Sequence, residues 1–248
     1  MDTLFIADVH LSEARPEKIA LFRQLLRGVA RKANALYILG DLFDDFWLGN
    51  DDHTPPHPAI LAELKDFSSG GPPLYILRGN RELMLDQGIE SLTGATMLSD
   101  PALIHLAGMP VLISHGDLLC TRDIAYQIYR GCLESPPVKW LFPRLPYALR
   151  RLLVNKLRPV IKQSASSKPP EIMDVDPEAV IQTMRRYCVH ELIHGHTHRP
   201  GFHDLKIDNH PARRIVLGDW YENELILACR DGERKLLSVS DYLAGFRG

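Results

Sequence analysis

The sequence predicts an α/β protein: a β-sandwich of two sheets flanked by helices, with an inserted helical cap. Three observations predict it. Apolar strand-like runs alternate with helical patterns in the first half, closely spaced strand-like runs return towards the C-terminus, and between Thr121 and Pro170 the alternation gives way to helical segments broken by prolines. With 248 residues, 45% hydrophobic and 24% charged, the chain is expected to build one substantial core as a single domain over 1–248, with the cap at 121–170 inside it.

The elements follow in order. Thr3–Ala7, Ala35–Leu39, Leu74–Leu77 and Val111–Ser114 read as buried strands, and helical periodicity over Glu17–Lys32 and Pro58–Phe67 makes a β-α-β beginning. Glu191–Ile193, Arg214–Leu217, Leu225–Cys229 and Lys235–Ser238 are again strand-like, and Asp231-Gly232 predicts a tight hairpin joining the last two. They are expected to form a second sheet. Gln163–Pro170, rich in Ser, Lys and Pro, reads as a loop.

Within the cap, Pro136, Pro137, Pro143, Pro146 and Pro159 interrupt the helices. Val138–Gln163 carries seven basic residues (Lys139, Arg144, Arg150, Arg151, Lys156, Arg158, Lys162) and no acid, interleaved with Trp140, Leu141, Phe142, Leu149, Leu152 and Leu153. A basic and apolar segment suits an anionic, lipid-like partner. It equally suits a hairpin that packs its apolar face on the core and leaves its basic face solvated.

Composition narrows the function. A net charge of -2 argues against a surface built for nucleic acid, so no nucleic-acid partner is expected. Cys120, Cys132, Cys188 and Cys229 are unpaired in spacing, which signals neither a disulfide framework nor a zinc ribbon and fits a reducing cytoplasm. Few residues precede the first strand, leaving no room for a secretory leader, and no apolar run approaches the roughly 18 residues of a membrane span.

Metal-seeking side chains close several of the strand-like runs: Asp8 and His10, Asp41, Asn80, His115, then His196 and His198. In an extended Asp8-Val9-His10, alternate side chains point the same way and can face one ion. Gly40-Asp41, Gly79-Asn80 and Ser114-His115-Gly116-Asp117 each follow a buried run, at the strand ends where open α/β sheets keep their ligands. His194-Gly195-His196-Thr197-His198 puts His196 and His198 on one side of an extended turn. Any one of these is more often a turn or a core histidine; in combination they spell a two-metal phosphoesterase, Asp41 bridging. His194 reads as a buried orienting residue, Asp44 and Asp45 as supporting or solvated acids, and His53, His57, His105, His190, His203 and His210 as structural or surface residues.

From Asp8 to His198 this order resembles the calcineurin-like metallophosphoesterases, with Asp-x-His, Gly-Asp-x-x-Asp, Gly-Asn-His-Asp/Glu, a later histidine and Gly-His-x-His. The chain departs where Gly79-Asn80-Arg81-Glu82 carries Arg81 in place of the usual histidine. That exchange trades a proton donor for a permanent guanidinium, suited to a diphosphate whose leaving group is itself a phosphate. Together with Leu4–Leu11, Ala35–Phe43, His115–Asp123, Ile172–Val175 and Leu192–Pro200, this variant resembles the UDP-2,3-diacylglucosamine pyrophosphatase family of lipid A biosynthesis.

The resemblance implies hydrolysis of UDP-2,3-diacylglucosamine by metal-activated water at the α-phosphorus, giving UMP and 2,3-diacylglucosamine 1-phosphate. It implies two Mn(2+) ions and a peripheral place on the cytoplasmic face of the Gram-negative inner membrane. Asp8, His10, Asp41 and His198 would hold one ion, and Asp41, Asn80, His115 and His196 the other. The catalytic set is then Asp41, Asn80, Arg81 and His196, and the substrate-binding set Asn80, Arg81, Asp123, Lys168 and His196. Ile161 and Ala165 depart from the family's polar cap residues, with Ser164 or Ser166 as alternatives. The rival readings are another hydrolase of the superfamily, and a non-catalytic scaffold of the same fold.

Overall fold

A computed structural model of the chain describes residues 1–82, 88–166, 169 and 172–245. Ile161, Ala165, Ser164 and Ser166 lie on described backbone but without described side chains, and Lys168 lies outside the described residues.

The strands are β1 Thr3–Ile6, β2 Ala35–Ile38, β3 Leu74–Ile76, β4 Thr96–Met97, β5 Ala102–Leu106, β6 Met109–Ser114, β7 Glu191–His194, β8 Gly201–Ile207, β9 His210–Val216, β10 Leu225–Arg230 and β11 Glu233–Ser238. The helices are α1 Pro16–Arg27, α2 His57–Gly70, α3 Gly88–Thr93, α4 Ile124–Glu134, α5 Pro136–Leu141, α6 Tyr147–Ser166, α7 Pro177–Arg186 and α8 Val239–Gly245. One sheet runs β11-β10-β1-β2-β3-β4, the other β5-β6-β7-β9-β8. β1 to β4 pair in parallel and β10 and β11 complete their sheet antiparallel. The second sheet expected near the C-terminus thus takes β7 to β9 of that region, while β10 and β11 return to the first.

Both faces of the first sheet are covered, which is why its strands read as unbroken apolar runs. Leu4 and Ile6 of β1 point to a core shared with Phe22, Leu25, Leu64 and Phe67 of α1 and α2. Phe5 and Ala7 point the other way, to a middle layer with Leu39, Ile113, Ile193 and Leu227 between the sheets. A third layer joins Leu112 and Leu192 of the second sheet to Val180 and Met184 of α7. Each of the larger side chains, Ala7 aside, contributes about 1.5–3 kcal/mol of burial.

Several expectations need correction. The helix expected over Glu17–Lys32 ends at Arg27; Gly28 leaves helical backbone and a 3₁₀ turn, Val29–Lys32, follows. Gln163–Ser166, expected as loop, is the last turn of α6, where Gln and Ala sustain a helix already propagated through Pro159. β5 and β8 went unread because they are edge strands with outward residues such as Leu103, Phe202 and Asp204. The Asp231-Gly232 hairpin is present, with φ of 47° and 87° at its two residues.

Candidate metal centre

The sequence-predicted ligands converge where strands from both sheets end. Asp8 and His10 follow β1, Asp41 follows β2, Asn80 follows β3, His115 follows β6, and His196 and His198 follow β7. Asp8, His10, Asp41, His196 and His198 hold left-handed backbone, with φ from 50° to 69°. The expectation of extended segments there is therefore wrong. The chain must turn sharply off each strand to bring these side chains inward, and such φ values cost a non-glycine residue about 1–3 kcal/mol each. Hydrogen bonds hold the turns: Asp8 N donates to Gly40 O at 3.1 Å, His10 N to Asp41 O at 3.0 Å, and His196 N to Asp8 Oδ2 at 2.7 Å. Gly79 and Gly195 admit the approach, because a Cβ at either would collide with the Asp41 or Asp8 carboxylate.

Two groups of donors result. Asp8, His10 and His198 offer one atom each within 4.8 Å of one another, as do Asp8, Asp41 and His115. Asp8 Oδ1 lies 3.3 Å from His198 Nε2 and 3.9 Å from His10 Nε2, and Asp41 Oδ2 lies 3.9 Å from His10 Nε2. On the far side, Asp41 Oδ1 is 3.7 Å from His115 Nε2, and Asn80 Oδ1 is 3.1 Å from both His115 Nε2 and His196 Nδ1. Asp41 thus stands between the groups. Asp8 Oδ1 and both ring nitrogens of His10 are buried without hydrogen-bond partners. Hard carboxylate, carboxamide and imidazole donors left unsatisfied around a common centre fit divalent cations.

Electrostatics agree. Burial raises Asp41 to about 6, with the Asp8 charge adding, and burial lowers His10 and His196 to about 4. Burial works against the His115 cation, but Asp41 and Asp8 outweigh it and lift His115 to about 9. Protons compete here for positions that a cation would take.

The calcineurin-like phosphoesterase profile matches residues 1–200, which contain every predicted ligand. The chain belongs to the calcineurin-like phosphoesterase family. As a member, this phosphoesterase is a hydrolase that uses divalent metal ions. It is 46% identical over 236 residues to the UDP-2,3-diacylglucosamine hydrolase of Aeromonas hydrophila, covering 95% of this chain and 98% of the relative. Proteins of the same name from Vibrio vulnificus YJ016 (43%, covering 92% and 93%) and Pseudomonas entomophila L48 (46%, covering 88% and 90%) are similar.

Around the phosphoesterase centre, Arg81 is anchored by Nη1 to Asp44 O at 3.1 Å, with Nε 3.9 Å from Asp41 Oδ2. Glu82, buried, accepts from the backbone N–H of Asp41, Phe43 and Gly79 and so fixes the Asp41 turn against the Asn80 turn. His194 is buried, its Nδ1 at 2.8 Å from Gly195 O, and it belongs to neither donor group. Asp123 caps α4 by accepting from Tyr126 N at 3.0 Å, and the Tyr126 ring lies 6.1 Å from that of His196, so α4 starts beside the centre. Asp44 accepts from Tyr221, and Asp45 pairs with Arg158 of α6. Of the two roles expected for His57, structural or surface, it takes the structural one: it is buried between Phe43 and Trp47, 3.4 Å from Asp52.

Sequence reading missed Asp219, 3.2 Å from His198 Nδ1, and named Asp117 without a role; it accepts from Arg130 Nε at 2.6 Å and Tyr126 at 2.5 Å. Gly218-Asp219 after β9 repeats the strand–glycine–acid pattern and was the available signal.

The basic residues of Val138–Gln163 are not one solvated face. Arg150 is buried against Leu48 O and Asp51, Arg158 meets Asp45, and Lys139 lies 3.7 Å from Glu134. The acids come from outside Val138–Gln163, which is why its composition concealed them. Arg151 and Lys156 remain exposed, as do Trp140, Leu141, Leu152 and Leu157.

Proposed function

We propose that this phosphoesterase hydrolyses the pyrophosphate bond of UDP-2,3-diacylglucosamine with water attacking the α-phosphorus, releasing UMP and 2,3-diacylglucosamine 1-phosphate. The observation that carries the reading is end-to-end similarity to relatives of that name, joined to a donor set built around Asp41 with Arg81 beside it. Asp8, His10, Asp41 and His198 would hold one divalent ion and Asp41, Asn80, His115 and His196 a second, manganese being the assignment. Bound there, the ions supply water activation near neutral pH and offset charge on phosphoryl oxygens.

The chain's own residues supply the rest. Arg81, held on one side by Asp44 O, directs its remaining donors to the diphosphate and stabilises charge on the departing phosphate. Asn80 and His196 orient the phosphoryl group. Asp123 and Lys168 are the further substrate contacts, towards the glucosamine and a phosphate. Helices α4 to α6, the inserted cap over 121–170, receive the acyl chains. The outward Leu149, Leu152, Leu153 and Leu157 support this over packing against the core. The same surface, with Arg151 and Lys156, would place the protein peripherally on the cytoplasmic face of the inner membrane; among the described residues no helix is long and apolar enough to cross one.

The test is hydrolysis of UDP-2,3-diacylglucosamine in detergent and oxygen-18 water by the manganese-loaded protein. Label in UMP is the expected result. Label in the sugar phosphate would overturn the site of attack. No turnover, beside hydrolysis of simple phosphodiesters, would overturn the substrate.

A further inference from the structure

Three consecutive residues beyond the stretch matched by the family profile touch each member of the first donor group. Asp219 Oδ2 lies 3.2 Å from His198 Nδ1, while Asp219 Oδ1 accepts from Tyr221 N at 2.7 Å and Glu222 N at 3.1 Å, so the carboxylate is locked. Trp220 N donates to Asp8 O at 3.0 Å, and its fully buried indole is fixed by Nε1 on Leu225 O at 3.3 Å. The Tyr221 ring lies 4.8 Å from the His10 ring at 30°, and its hydroxyl donates to Asp44 Oδ1 at 2.6 Å. Arg15 closes the stack, its guanidinium 3.9 Å from the Tyr221 centroid and its Nη2 donating to His10 O at 2.8 Å.

This arrangement solves a specific problem. Neither nitrogen of His10 has a hydrogen-bond partner, so no hydrogen bond sets its ring, and its backbone is left-handed at φ 50°. Ring stacking and the Arg15 bond on its carbonyl are what orient it. For His198, an acceptor at Nδ1 keeps the proton there and leaves the Nε2 lone pair for an ion that Asp8 Oδ1, 3.3 Å from Nε2, would share, the relation by which carboxylates orient metal-binding imidazoles. The tripeptide makes no hydrogen bond or ring contact with Asn80, His115 or His196, the donors on the far side of Asp41.

We infer that Asp219-Trp220-Tyr221 is a brace that tunes one of the two ion sites selectively, with Asp219 and Tyr221 as positioning residues for hydrolysis. The inference rests on the two-ion reading above.

Calorimetric titration of manganese into metal-stripped protein tests it, with wild type, Asp219→Ala, Asp219→Asn, Tyr221→Ala and Tyr221→Phe compared. Wild type should bind two ions. Asp219→Ala should lose about 10–100-fold affinity for one ion and none for the other. Asp219→Asn, which retains an acceptor oxygen, should recover part of the loss, and Tyr221→Phe, which retains the stack, should bind far better than Tyr221→Ala. In turnover at saturating manganese, kcat should fall with KM nearly unchanged. Two ions bound with wild-type affinity by both alanine variants would overturn the brace. So would equal weakening of both ions, which signals general loosening. Fewer than two ions in wild type would overturn the two-ion reading and the brace with it.

Discussion

Arg150 Nη1, on α6, donates to the backbone carbonyl of Leu48, a residue 102 positions earlier in the loop that follows Asp41 and Phe43. At 2% exposure its guanidinium is an anchor for α6 and not part of a lipid-attracting surface. Nearby, Tyr147 donates to Asp52 Oδ1 at 3.0 Å, so α6 is rooted in the 48–54 loop by two side chains one turn apart.

Arg150→Met should leave the Leu48 carbonyl unsatisfied and lower stability by about 1–3 kcal/mol. Thermal unfolding combined with limited proteolysis checks this: cleavage within 121–170 should accelerate, whereas Arg151→Gln should leave both readouts at wild-type values.

Exposed Arg151 and Lys156 are the residues to change for membrane attraction. The double variant Arg151→Gln, Lys156→Gln should bind anionic vesicles about 30-fold more weakly at low salt, from about 1 kcal/mol per basic residue. The difference should shrink at high salt, where screening is strong. Equal binding at low salt would assign this face to solvent alone.

Asp41→Ala removes the carboxylate that stands between the two donor groups. Several kcal/mol of transition-state stabilisation should go with it, a fall of about 10³-fold or more in kcat/KM. Chelation of the wild type should likewise abolish turnover and lower its melting temperature, both restored by manganese. Activity retained within a few-fold in Asp41→Ala would remove its bridging role.

Arg81→Lys keeps a positive charge but loses the planar fork and the bond to Asp44 O. Steady-state kinetics should show kcat/KM about 10²-fold lower, most of it in kcat, because the lost contacts develop as the leaving phosphate gains charge.

Asp52 gives the acid limb of stability. Burial raises its pKa, but the His57 ring 3.4 Å away and the bond from Thr54 N outweigh burial and hold it well below the ordinary 3.8. A depressed folded pKa contributes stability that is fully present above 3.8 and is lost as pH falls below it towards the folded value. Asp52→Asn should therefore be less stable at pH 7 by about 1.5–3 kcal/mol, from weakened bonds to Leu48 N, Thr54 N and Tyr147. Its stability should also change less between pH 5 and pH 2, as read by denaturant titration at each pH.

The sequence by itself determined the strand ends and their donors. Buried runs such as Leu36–Leu39 and Leu74–Leu77 are local signals, since both faces of β2 and β3 are covered, and the polar residue that closes each run marks where burial ends and ligands begin. Arg81 was legible for the same reason, being next to Asn80 in the chain. The tertiary structure alone decided which donors share a centre, because Asp8 meets His198 only when β1 and β7, in different sheets, end on the same side of the sandwich. It alone decided that the turns are left-handed, that Arg150 is buried while Arg151 is exposed, and that Asp219 and Tyr221 support His198 and His10. Charge, burial and orientation at those positions depend on partners supplied from distant segments, and no local period in the sequence records a partner that only packing brings near.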